Sequence, residues 1–299
     1  MGNILTRGQL LPPVVTDEMF SKVAGKSSLA KLSGSTPIPF NGQTLFSFSL
    51  DNEVDLVAEN GAKSNGGATI TPITMQPVKV EYGFRVSDEF KYGTEEIRLQ
   101  YTRSFADGFA KKVARGLDIM AIHGVNPRSK LTAPSLQDKN FDDLIENVVV
   151  FDASAPEDNI SAAIELIGDE IDVTGLAMAP AMKSALSKRK AAKDSNIPLF
   201  PELGWGSTLT SLNGLPADSN TTMSFNGSLD RALVGNFADY FRWGFAKQIP
   251  IEVIEYGDPD NSGYDLKGHN QVYIRGEAYI GWGILDKAAF SWVKAEASA

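Results

Sequence analysis

Two stretches of this chain alternate strictly between large apolar and small or polar residues. In residues 44–50 the apolar positions are Phe46, Phe48 and Leu50, with Ser47 and Ser49 between them. In residues 78–86, Val78, Val80, Tyr82, Phe84 and Val86 share one face, while Lys79, Glu81, Gly83 and Arg85 share the other. Period-two alternation predicts half-buried strands. Between them, ENGAKSNGGA at 59–68 is too rich in Gly, Asn and Ser to pack. The pattern therefore predicts a long β-ribbon with a polar tip. A lone two-stranded ribbon is marginal in water. Its apolar face needs cover, which another subunit can supply, and this points toward assembly rather than catalysis.

A different period follows. In residues 93–124, Ile97, Tyr101, Phe105, Phe109, Val113 and Leu117 recur every four positions and Met120 continues the stripe. Thr94 suits the N-cap, Glu95 and Glu96 suit the first turn, and Gly124 suits the C-terminal stop. The pattern predicts a spine helix about 40 Å long. Upstream, residues 1–42 read as an apolar arm carrying Pro12, Pro13, Pro37 and Pro39. Within it a short helix starts after Thr16 and presents Met19, Phe20 and Val23. Downstream the pattern becomes α/β. A strand is expected at 147–151, helices at 157–172 and 181–192, and a buried strand at 175–180. Further strands are expected at 232–237, 240–246, 249–256 and 271–285.

Composition narrows the classes. With 299 residues, 42% of them hydrophobic, the chain can bury a sizeable core as one large domain or two. The absence of cysteine excludes disulfides and thiolate chemistry. A net charge of −9 argues against a mainly electrostatic grip on nucleic acid. Apolar runs fall far short of the roughly 18 residues that span a bilayer, so no membrane partner is expected. Gly2 and Thr6 formally fit a myristoylation pattern, although an unmodified extended N-terminus accounts for the same letters.

Candidate chemistry is sparse. His123 falls at the end of the spine helix, where a cation suits the last carbonyls, and His269 borders a turn. Neither belongs to a paired-histidine metal pattern or a nucleophile pattern, and the chain carries no phosphate-loop or dinucleotide motif. No catalytic residue, metal site or cofactor is expected. GDPDNSG at 257–263 resembles a calcium loop loosely and reads as a turn. Lys188, Arg189 and Lys190 read as a solvated helix face.

The order of parts carries a resemblance. LLPPVVTDEMFSKVAGKSSLAKL at 10–32, VDLVAENGAKSNGGATITPITMQPVKVEYGFRVSDE at 54–89 and GLAMAPAMKSALSKRKAAKDSN at 175–196 resemble segments of tailed-bacteriophage major capsid proteins, which have the Hong Kong 97 fold. So do the stretches between Arg231 and Phe290. The resemblance implies an α+β subunit with an N-terminal arm (1–42), an extended loop formed by the ribbon (43–88) and a peripheral domain with the spine helix (89–144). An axial domain (145–250) and a return to the peripheral domain (251–299) complete it. It implies a structural, non-enzymatic protein whose hexamers and pentamers tile an icosahedral virion shell. That shell encloses double-stranded DNA without sequence-specific binding, and is assembled in the host bacterial cytoplasm with portal and scaffolding proteins. Family scaffolding segments precede the arm. Here Met1 opens the arm, so scaffolding is expected as a separate protein or as a trimmed precursor segment.

The intersubunit contacts then expected are Phe46, Phe48, Asn60, Lys63, Asn65, Val80, Tyr82 and Phe84. Some family members crosslink a loop lysine to a neighbour's asparagine with the help of a glutamate. Lys63, Asn270 and Glu277 are the matching positions here. Each also suits its local structure without that chemistry, and shells held without covalent links are expected. Two other readings stay open. One is an encapsulin-type bacterial compartment shell, which shares the fold but would open with a helix. The other is a soluble acidic hydrolase.

Overall fold

The computed structural model describes residues 26–50, 52–192, 195–247 and 251–296. The helix expected after Thr16 and the apolar residues around it lie outside the described residues. In chain order the main elements begin with α1 (Ser28–Leu32), β1 (Gln43–Leu50), β2 (Ala68–Met75), β3 (Val78–Ser87) and α2 (Glu95–His123). Then come β4 (Val148–Val150), α3 (Pro156–Ile167), β5 (Gly175–Met178), α4 (Pro180–Ser187), β6 (Ser211–Leu212), β7 (Leu215–Ser219) and β8 (Asp230–Gly235). The last are β9 (Phe241–Lys247), β10 (Ile251–Ile254), β11 (Gln271–Ile284) and β12 (Phe290–Lys294).

The spine helix α2 forms where its caps predict. Thr94 Oγ1 accepts the Ile97 N–H at 3.4 Å, and Gly124, at φ 62°, donates its N–H to the Met120 carbonyl. A left-handed C-cap of this kind favours glycine. Phe105, Phe109, Val113, Leu117 and Met120 are buried. The stripe is not buried throughout, because Ile97 and Tyr101 at its amino end are exposed. Helices α3 and α4 stop at Ile167 and Ser187, each five residues before the predicted end. Gly168 and Lys188 take over the caps there.

Among the described residues, three sheets organise the rest. β1 and β2 form an antiparallel ribbon, β11 joins β3, β10 and β9, and six strands run in the order β4-β12-β8-β5-β7-β6. The ribbon differs from the sequence expectation in its partner. β3 does not pair with β1. It runs antiparallel to β11 from Ser87↔Gln271 to Val78↔Ile280. The ribbon's second strand is β2, which the sequence hides because Pro72 interrupts its alternation. A proline is tolerated in a ribbon edge, where its missing N–H faces outward.

The strands also cross the expected domain boundaries. β9 lies within 145–250 yet pairs with β11, while β12 near the C-terminus joins β8 and β4. Short connections at 236–240 and 285–289 let the chain change sheets. Residues 26–42 are built into their own subunit rather than extended away from it. Thr36 donates its N–H to the Trp243 carbonyl at 2.8 Å, and Ile38 to that of Phe245 at 3.2 Å. Gly244 makes this crossing possible, since a Cβ there would lie 1.7 Å from the Thr36 carbonyl oxygen.

Two apolar clusters result. One joins α2 to the β3–β11 sheet through Phe105, Phe109, Leu117, Trp282 and Trp292, and the other packs α3 and α4 against the six-stranded sheet through Ile160, Met182, Leu186 and Val234. Gly276 in β11 lets the spine sit close, because a Cβ there would meet the Phe109 ring at 3.0 Å.

Candidate assembly surface and its charge clusters

The ribbon carries the uncovered apolar surface. Register pairs Phe46 with Pro72, Phe48 with Ile70 and Leu50 with Ala68, so these six residues line one face. Phe46, Phe48, Leu50 and Ile70 are exposed, Phe46 at 68%. Beyond them Val54 and Leu56 are almost wholly exposed at 96% and 97%. Asn60, Lys63 and Asn65 are exposed in the same segment, and Asn60 adopts a left-handed turn conformation at φ 65°. These apolar residues are grouped on one face rather than scattered singly over the surface.

Val80, Tyr82 and Phe84 differ from that group. Val80 and Phe84 are half-buried against the spine cluster, and the Phe84 ring lies 5.3 Å from that of Phe105. Part of their cover is thus the chain's own helix, where the sequence pattern points to another subunit. Tyr82 is exposed. So are Tyr92, Ile97 and Tyr101 around the amino end of the spine, where Phe90 packs edge-on against Tyr101 at 5.9 Å.

The three crosslink candidates are not gathered within the subunit. Lys63 is in the ribbon tip. Asn270, at φ 52°, closes the turn before β11, and its carbonyl accepts the Asp88 N–H at 2.9 Å. Glu277 lies seven residues further along the extended strand, roughly 23 Å away. Its carboxylate faces Lys79 at 2.8 Å and Arg275 at 3.2 Å. It thus forms ion pairs with two cations of its own sheet.

Where chemistry was sought, the structure places structural charge. Arg85 enters the 257–263 turn: Nη2 donates to Asp258 at 2.6 Å and to the Tyr264 carbonyl at 2.9 Å, and Nε donates to Asp260 at 3.0 Å. Asp258 also accepts the Ser262 and Gly263 N–H groups. The calcium-like letters therefore fold around a guanidinium. Hydrogen bonding to Arg85 holds the Asp260 carboxyl well below the usual range. Arg189, in the basic run, is committed to Glu157 and the Ser154 carbonyl. His269 Nδ1 lies 2.9 Å from the Asp265 carbonyl oxygen.

His123 does more than sit near a helix end. Nδ1 is 2.8 Å from Asp142 and 3.3 Å from Asp230, and Nε2 is 2.9 Å from the Thr222 carbonyl oxygen. Both ring nitrogens face acceptors, so the geometry calls for the imidazolium. Burial opposes that charge, but the two carboxylates outweigh it and raise the pKa to about 9. Lys294 reaches the same aspartates at 2.7 and 3.0 Å. His123, Asp142 and Asp230 could group around a metal ion. In this arrangement the imidazolium and the ammonium already balance both carboxylates. The sequence offered no signal for the cluster, whose members come from four distant segments.

Among the described residues no helix is long and apolar enough to cross a membrane. Comparison with known proteins gives a consistent result. The model of the family described as "Phage capsid family" matches residues 7–295. A solved structure from Mycobacterium phage Ogopogo superposes with a TM-score of 0.75 and 31% identity, covering 91% of this chain and 92% of that one. One from Gordonia phage Cozz gives 0.72 and 23% over 91% and 87%. The capsid of an empty GTA particle, computed with C5 symmetry, gives 0.63 and 16% over 91% and 90%. No curated protein matches the sequence.

Proposed function

This chain belongs to the phage capsid family and is a major capsid protein of a tailed phage with the Hong Kong 97 fold, and we propose that its ribbon is the joint that turns subunits into a shell. In this reading β1 and β2 lie on the neighbouring subunit and bury Phe46, Phe48, Leu50 and Ile70 there. Hexamers and pentamers of the one chain tile an icosahedral shell around double-stranded DNA, which is held without sequence-specific contacts. Portal and scaffolding proteins are its assembly partners, and assembly takes place in the host cytoplasm. The protein needs no catalytic step for this. Asn60, Lys63 and Asn65 would contact the neighbour through the tip, and Tyr82 through the edge of β3. No covalent bond from Lys63 to Asn270 is required.

One observation carries the reading. The subunit buries Trp292, Phe141, Phe237 and Phe290 fully in the core cluster that includes the spine, yet leaves an apolar ribbon face bare. At about 25 cal/mol per Å² that face is a strong driving force for association. Electron microscopy of the purified protein tests it. Closed particles with ribbon density lying across a subunit boundary are expected. A ribbon folded back onto its own subunit in the assembled particle would overturn the proposal.

A further inference from the structure

Asp118 lies near the carboxyl end of the spine helix, fully buried, among the apolar residues of 117–122. Its carboxylate is saturated by donors from elsewhere. One oxygen accepts the Ser27 hydroxyl and the Leu29 N–H at 3.3 Å. The other accepts the Ser28 N–H at 3.0 Å, the Thr222 hydroxyl at 2.9 Å and the Asn220 amide at 3.4 Å. A second buried carboxylate, Asp218 on β7, takes the Ser28 hydroxyl and the Lys31 ammonium. Asn220 closes the set by donating to the Lys26 carbonyl at 3.2 Å. The Ser27 and Ser28 hydroxyls and the Ser28 and Leu29 N–H groups are thus answered by the core of the same subunit, while Ser27 Oγ caps the Ala30 N–H at 3.0 Å.

Energy alone does not explain an aspartate here. Burying a carboxylate is costly, and an apolar residue of similar volume is often as stable or more so. A carboxylate does what a leucine cannot, because it recognises one arrangement of donors and rejects a shifted one. We propose that Asp118 and Asp218 are positioning residues for assembly: they pin residues 26–33 to the core of their own subunit, so that the residues preceding Lys26 leave every copy from one fixed point. The part concerning assembly rests on the shell reading above, and the pin itself does not.

Amide hydrogen exchange on the purified protein tests the pin. In Asp118→Asn the side-chain NH₂ replaces an acceptor that faces two donors at one oxygen position or three at the other. Exchange at Ser28, Leu29 and Ala30 should rise about tenfold or more, while Met120 and Ile122 in the spine stay protected. Ser27→Ala with Ser28→Ala approaches from the other side, leaves the spine sequence intact, and should give the same pattern. Adding Ser27→Asp to Asp118→Asn returns a carboxylate to the joint and should restore protection, which filling of a cavity would not do. Particles of both weakened variants should show a broadened size distribution by electron microscopy. Unchanged exchange at 28–30 in both variants would overturn the pin. Faster exchange with particles of normal size would overturn its role in assembly. Wild-type protein that forms no shells would defeat the shell reading, and the exchange comparison would still decide the pin.

Discussion

β1 and β3 have the same hydrophobic period and opposite fates. In β3, Val80 and Phe84 pack against the cluster that includes the spine helix, and the Phe84 ring meets that of Phe105. In β1, Phe46, Phe48 and Leu50 are exposed on a strand that, among the described residues, pairs with β2 alone. Alternation says that a strand has an apolar side. It does not say which molecule covers that side. The difference separates residues that hold the subunit together from residues that can hold subunits to one another.

The most damaging change should fall on the covered side. Phe105→Asp places an unpaired charge between Phe84 and Phe109. It should cost several kcal/mol and yield insoluble or unassembled protein. A soluble, cooperatively folded variant with normal melting would show that β3 and α2 do not form one core. The matching change on the bare side, Phe46→Ser with Phe48→Ser, should leave subunit melting within about 0.5 kcal/mol of wild type. Particle yield should collapse, as light scattering would register. Equal loss of melting in both variants would erase the distinction between the strands.

Protons sharpen the comparison through a charge cluster in the covered half. His123 has its pKa raised to about 9 by the aspartates around it, from an ordinary value of 6.5. Its contribution is therefore complete below about pH 6.5 and lost as pH rises through about 9. Melting temperature should fall over that window, and His123→Gln should flatten the fall. A wild-type curve parallel to that of the variant would mean that the charge cluster adds nothing. The smallest effect is expected at the ribbon tip. Shells boiled in detergent should run as a single band near 32.3 kDa, and Lys63→Ala should leave it unchanged. A ladder abolished by Lys63→Ala would instead reveal a covalent link.

Much of the covered half was legible. The four-residue recurrence from Phe105 to Met120, the Thr94 cap and the Gly124 stop all describe α2 as it stands. The ribbon was legible in one strand only, since Pro72 masks β2 and β3 looked like its partner. The charge clusters were not legible at all. Asp118 meets Ser27 across 91 positions, and Lys294 meets Asp142 across 152. Such pairs leave no periodic trace, because each residue looks like an ordinary polar letter in its own segment.

What the sequence determined by itself was local: where helices start and stop, which strand faces are apolar, and the order of parts that marks the family. Those features rest on backbone hydrogen bonding and side-chain period, which act within a few residues. The tertiary structure decided which apolar face found cover inside the subunit, which strand paired with which, and where buried carboxylates met their donors. Strand pairing and ion placement depend on segments brought together only when the core closes. The covered and uncovered sides of two similar strands are therefore distinguishable only in the folded chain.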